Sequence, residues 1–102
     1  MGNVIPLRPA AVPDPEPLWR EAVGEQLREE RTFRGERIVD VAGRAGVAPQ
    51  YLSELERGRK DPSSEVLAAV SGALGLSVLE LTRGAGRRLT AAGPSGPVCL
   101  AA

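Results

Sequence analysis

The stretch that most constrains this chain runs from Ile38 to Arg57, IVDVAGRAGVAPQYLSELER, with Gly58 directly after it. Apolar or small residues at Val41, Ala42, Ala45 and Val47, then at Leu52 and Leu55, make two short helical periods that meet at Gly46. A tight turn between two helices crossing near a right angle often needs a left-handed backbone position, which glycine adopts at least cost. Ala42 offers the small surface that a crossing helix requires, and Val47 fills the gap between the two. Pro49 suits the first turn of the second helix, where its missing N–H is not needed. The pattern predicts a helix-turn-helix unit. Leu52 and Leu55 face inward, so Gln50, Tyr51, Ser53, Glu54 and Arg57 are wholly or partly available outside.

The flanks predict how this unit is completed. Residues 1–17 carry five prolines and no apolar period, which predicts a disordered or extended arm. From Leu18, Trp19, Val23 and Leu27 recur at helical spacing with Glu21, Glu25, Arg28 and Glu29 on the wet side, and Trp19 reads as a core anchor. Thr32 to Arg37 reads as a charged connector, with Gly35 stopping the first helix. Gly58 ends the helix that begins at Pro49, and Arg59, Lys60, Asp61 and Pro62 form a loop. Ser63 or Ser64 caps a fourth helix with Leu67, Val70 and Leu74 on its inner stripe, and Gly75 breaks it. Ser77 caps a short fifth helix in which Leu76 and Leu81 close the core. From Gly84 to Ala102 the composition predicts a flexible tail, with Arg87, Arg88 and Leu89 as a helical remnant. The organisation is thus an arm over 1–17, one all-α domain of five helices over 18–83, and a tail over 84–102.

The chain has 102 residues, no histidine and one cysteine. Cys99 has neither a base nor partner ligands around it, so no Cys/His nucleophile or zinc site can be assembled. The carboxylates are scattered over helix exteriors. No enzymatic activity and no cofactor or metal are expected. There is no apolar run of membrane-spanning length and no secretory signal, and the expected compartment is a reducing cytoplasm. DNA reading is the functional candidate. Pro49, Gln50 and Glu54 occupy the start of the second helix of the unit and its next turn, so Gln50 can present its amide to adenine and Glu54 can accept from cytosine N4. Arg34, Arg37, Tyr51, Arg57, Arg59 and Lys60 are the candidate phosphate contacts, which position a protein without reading sequence. The 13 basic and 13 acidic residues leave no net charge. That balance feeds a rival reading, a protein-interaction module, antitoxin-like or sigma-associated, that has kept the fold without reading DNA.

Leu27, Arg28 and Arg31, then AGVAPQYLSELERGRKDPSSEVL, then ALGLSVLEL, resemble the Cro/repressor (XRE-type) family of DNA-binding domains over Leu18 to about Arg83. YLSELERGRKDPSSE looks most like the actinobacterial Clp-gene-regulator branch. The resemblance implies a compact, lambda-repressor-like, five-helix regulator of transcription, possible target genes being those of Clp proteases and chaperones. It also implies an ion pair between Arg31 and Glu56, the glutamate of the ERG turn. Regulators of this kind usually dimerise on a palindromic operator. Val78, Leu79 and Leu89 are the candidate dimer contact, the alternative being that they form the lower core. Two positions depart from the family. Arg37 and Ile38 stand where threonine or serine and a phosphate-touching glutamine are usual, though the Clp-regulator branch commonly has an apolar residue there too. Ala48 replaces a capping serine or threonine, a loss of about 1 kcal/mol partly offset by Pro49. The last residues, Cys99 to Ala102, fit a prenylation box literally. Leu100, Ala101 and Ala102 read better as a degron for Clp protease, because no polybasic stretch precedes Cys99 and the domain points to bacteria.

Overall fold

The computed structural model describes residues 18–92. The proline-rich arm and the candidate degron Leu100, Ala101 and Ala102 lie outside the described residues. Five helices follow one another: α1 Trp19–Phe33, α2 Ile38–Ala45, α3 Pro49–Glu56, α4 Ser64–Ala73 and α5 Val78–Ala92. α1 packs against α3 and α5, while α2 packs against α3 and α4. Each helix contributes a narrow apolar stripe to one core. Val23 and Leu27 come from α1, Val41 and Ala42 from α2, and Leu52 and Leu55 from α3; Val70, Leu74, Leu81 and Ala85 complete it. None of these is more than 1% exposed, which is close packing for side chains of this size.

Local chemistry sets the helix ends. Gly46 has φ 75°, and the turn it makes lets the Val47 N–H donate to the Ala42 carbonyl at 3.0 Å. The same six-to-one hydrogen bond closes α1, α3 and α4, from Glu36 to Arg31, Arg59 to Glu54 and Leu76 to Ser71. Ser63 Oγ accepts from the Val66 N–H at 3.1 Å and starts α4. Ser77 and Glu80 form a reciprocal capping box at the start of α5, at 2.9 and 3.0 Å. α3 has no side-chain cap at Ala48 and begins on Pro49.

Three expectations need correction. The chain does not become a tail at Gly84, because α5 continues to Ala92. Gly84 lies where α5 crosses α1, and a Cβ there would sit 2.4 Å from the Gln26 side chain. Close approach, not helix breaking, is the reason for that glycine. Arg88 then reaches back to α1, donating to Gln26 Oε1 at 3.0 Å and pairing with Glu25 and Glu29. Trp19 is not a core anchor, since 41% of it is exposed. It is the first residue of α1, and the inner face of that helix is filled from Ala22 and Val23 onward. The connector is also shorter than expected, because α1 runs through Thr32 to Phe33.

Gly24 allows α1 to lie directly on the end of α3. A Cβ there would be 2.3 Å from the Leu55 carbonyl oxygen and 2.7 Å from that of Glu56, and backbone cannot step aside as a side chain can. Gly43, on α2, has nothing within 4 Å of the same position. One substitution should therefore act in opposite directions. Gly24→Ala should destabilise by on the order of 3 kcal/mol through overpacking. Gly43→Ala should stabilise by about 0.5–1 kcal/mol through the lower entropy of the unfolded chain. Denaturant unfolding of both variants checks this, and equal shifts would contradict the close α1–α3 contact.

Candidate nucleic-acid interface

The candidate interface is built from α3 outward. Leu52 and Leu55 fix its inner face, and the Arg31–Glu56 pair fixes its end. Arg31 Nε donates to Glu56 Oε2 at 2.7 Å and Arg31 Nη2 to Glu56 Oε1 at 2.9 Å, a two-point contact between planar groups. Arg31 Nη1 also donates to the Glu36 carbonyl at 2.9 Å, so one guanidinium joins α1, α3 and the segment leading into α2. The two side chains are only 14% and 6% exposed. The hydrogen bonds to Glu56 hold Arg31 more firmly protonated against the opposing effect of burial.

The opposite face of α3 is open. Pro49 and Gln50 are exposed on its first turn, and Glu54 is half-buried one turn later. Gln50 Nε2 donates to Glu54 Oε2 at 3.2 Å, and Lys60 Nζ lies 3.6 Å from Glu54 Oε1. An amide, a carboxylate and an ammonium therefore stand in one row across α3 and its following loop. Arg57 and Arg59 are exposed. Neither forms an ion pair among the described residues. Tyr51 packs partly against the core.

The remaining candidates divide between surface and scaffold. Arg37, 78% exposed in its side chain, is paired with Asp40 at 3.2 Å at the start of α2. The Arg37 hydrogen bonds, from side chain and backbone, hold the Asp40 carboxyl below its ordinary range. Arg34 belongs to another neighbourhood. It lies against Gly75 in the α4–α5 turn and 3.4 Å from Glu36. Arg44, which the sequence did not single out, donates to the Ala73 carbonyl at the end of α4 at 2.8 Å and to Glu36 at 2.7 Å. Those contacts hold the Glu36 carboxyl below its ordinary range, the hydrogen bond from Arg44 most of all. Of the three dimer candidates, Val78 and Leu79 are 38% and 58% exposed, whereas Leu89 packs against the core.

Residues 26–81, more than half the chain, match the HTH_3 family of helix-turn-helix domains. The chain belongs to the HTH_3 (XRE-type) family. The transcriptional regulator ClgR of Mycobacterium tuberculosis is 46% identical over 72 residues, which is 71% of this chain and 64% of that protein. The chain therefore spans just under two thirds of that relative's length. The HTH-type transcriptional regulator DdrOP3 of Deinococcus deserti is 47% identical over 60 residues, 59% of this chain and 46% of that protein. Crystal structures of the clp gene regulator ClgR from Corynebacterium glutamicum share the fold. One has a TM-score of 0.70 at 49% identity, covering 74% of this chain and 96% of that one. Another has a TM-score of 0.75 at 42% identity, covering 85% and 93%. These likenesses support placing the chain in the ClgR branch of HTH_3. No single helix among the described residues is long and apolar enough to cross a membrane.

The Arg31–Glu56 tie generates a stability prediction. Arg31→Met or Glu56→Gln alone should cost about 3–5 kcal/mol, because each strands a desolvated partner. In the double variant much of that loss should be recovered. A double-mutant cycle by denaturant unfolding measures the coupling, and a value near zero would show that the contact holds nothing together.

Proposed function

We propose that this chain is a sequence-specific regulator of transcription that places α3 in the major groove of double-stranded DNA. The observation carrying this reading is the distribution of charge. Net charge is zero, yet the pairing is uneven. Most described arginines are bound to carboxylates or carbonyls, as Arg31, Arg44 and Arg88 are. Arg28, Arg57, Arg59, Arg83 and Arg87 are not; Arg83 and Arg87 lie on α5, and the other three line a single groove with Ser53 of α3. A helix-turn-helix needs positive charge on one face only.

In this arrangement Gln50 and Glu54 meet base edges, with Pro49 alongside, while Arg57, Arg59 and Lys60 meet phosphates. Arg37 can join the phosphate contacts by exchanging Asp40 for a phosphate oxygen. Arg34, held against the α4–α5 turn, stays with the scaffold. The likeness to ClgR makes genes of Clp proteases and chaperones the proposed targets, in a cytoplasmic setting. A dimer on a palindromic site is the proposed assembly, with Val78 and Leu79 at its contact and Leu89 left to the core.

Selection of duplexes from a random-sequence pool by the purified chain provides the probe. On the enriched duplex Gln50→Ala should lose about 1–3 kcal/mol and relax preference at one base pair. Lys60→Ala should weaken enriched and random duplexes alike, and flatten the log–log salt dependence by roughly one unit. Equal losses on both duplexes for Gln50→Ala would refute base reading. Sedimentation tests the assembly: the parent should be dimeric at micromolar concentration and Leu79→Glu monomeric, and a monomeric parent would refute the dimer.

A further inference from the structure

We propose that Arg28, on α1 and outside the helix-turn-helix unit, contacts the DNA backbone through a phosphate seated in the groove between α1 and α3. The proposal rests on the DNA-reading function above and extends it to a residue of a different helix. The groove has a volume of about 840 Å³ and is lined by Arg28, Arg57 and Arg59 together with the carboxylates of Glu21, Glu25 and Glu56.

Arg31 lines it as well, so four arginines face three glutamates. Glu56 has both oxygens bound by Arg31. Glu21 accepts the Leu18 N–H at 2.9 Å, and Glu25 lies 3.3 Å from Arg88. Every acidic group in the groove is thus engaged elsewhere. The other three arginines have no hydrogen-bond or ion-pair partner for their side chains among the described residues. With Glu56 and Glu25 ion-paired, only Glu21 stands against three unpaired guanidiniums, so a phosphate entering here meets an excess of planar donor forks.

Position makes the phosphate one of the duplex that α3 reads. Gln50, Ser53 and Arg57 follow one another at helical spacing and form one stripe along α3. Ser53 and Arg57 line the groove, so a duplex resting on Gln50 passes its mouth. Ile38, at the first position of α2, lines the groove too and brings no side-chain donor. Arg28 supplies that donor from α1.

The test uses the full chain with two probes, the duplex enriched by selection and a random-sequence duplex of equal length. Arg28→Gln should weaken both by the same factor, about threefold to tenfold at low salt, and make the log–log salt slope shallower by roughly one unit. Preference between the two duplexes and the melting temperature should not move, and Arg28→Lys should restore most of the slope. Arg57→Gln, in the same groove, should behave as Arg28→Gln does. An unchanged affinity and slope for Arg28→Gln, with the parent still discriminating between the duplexes, would overturn the proposal alone. A loss confined to the enriched duplex, or a lowered melting temperature, would replace backbone contact with a positioning or structural role. Failure of the parent to bind either duplex would overturn the DNA-reading function as well.

Discussion

The contact between α1 and the end of α3 is the constraint on which the rest of the molecule depends. α3 has only eight residues and no side-chain cap at its start, so its own hydrogen bonds cannot hold it in place. Its position is imposed from behind. Gly24 brings the α1 backbone against the Leu55 and Glu56 carbonyls, and Arg31 binds the Glu56 carboxylate at two points. With the inner face and the C-terminal end committed to α1, the turn carrying Pro49 and Gln50 has to face outward.

The same economy of partners explains how a chain without net charge can present a cationic face. Glu36 collects Arg44 and Arg34, Asp40 takes Arg37, and the acidic flank of α1 takes Arg88. These pairs do scaffold work, tying connectors and α5 to the central helices. Of the arginines left over, Arg28, Arg57 and Arg59 share the groove beside α3, while Arg83 and Arg87 lie on α5. Glu54 is the exception: it accepts a hydrogen bond from Gln50 and pairs with Lys60, and in the proposed complex both contacts would exchange for bases and phosphates. Surface pairs of this kind are weak, so the exchange costs little.

The helix-turn-helix was legible because its information is local. The period of Val41, Ala42, Leu52 and Leu55, the glycine at the turn and the proline at the first helical position all lie within twenty residues. Gly35, Gly58 and Gly75 marked helix ends for the same reason. Gly84 was misread because intrinsic preference, about 1 kcal/mol against glycine in a helix, was the only signal available. The contact that outweighs it, with Gln26, is distant in sequence. Gly24 offered a faint clue, a glycine inside a strongly periodic helical run, which usually has a packing reason. Arg34 and Leu89 show the limit at the surface. Their types fit phosphate and partner contacts, but only the packing of the α4–α5 turn and of α5 on the core decides what they touch.

In the proposed complex α1 presents the outer face of α3 to base edges. A crystal structure of the full chain bound to the duplex most enriched in selection tests it most directly. The expected result is α3 in the major groove, with Gln50 and Glu54 within hydrogen-bond distance of bases, and with Arg57, Arg59 and Lys60 at phosphates on either side. The Arg31–Glu56 pair should be intact. A complex in which α3 stands clear of the groove, or in which Arg31 leaves Glu56 to bind DNA, would contradict it.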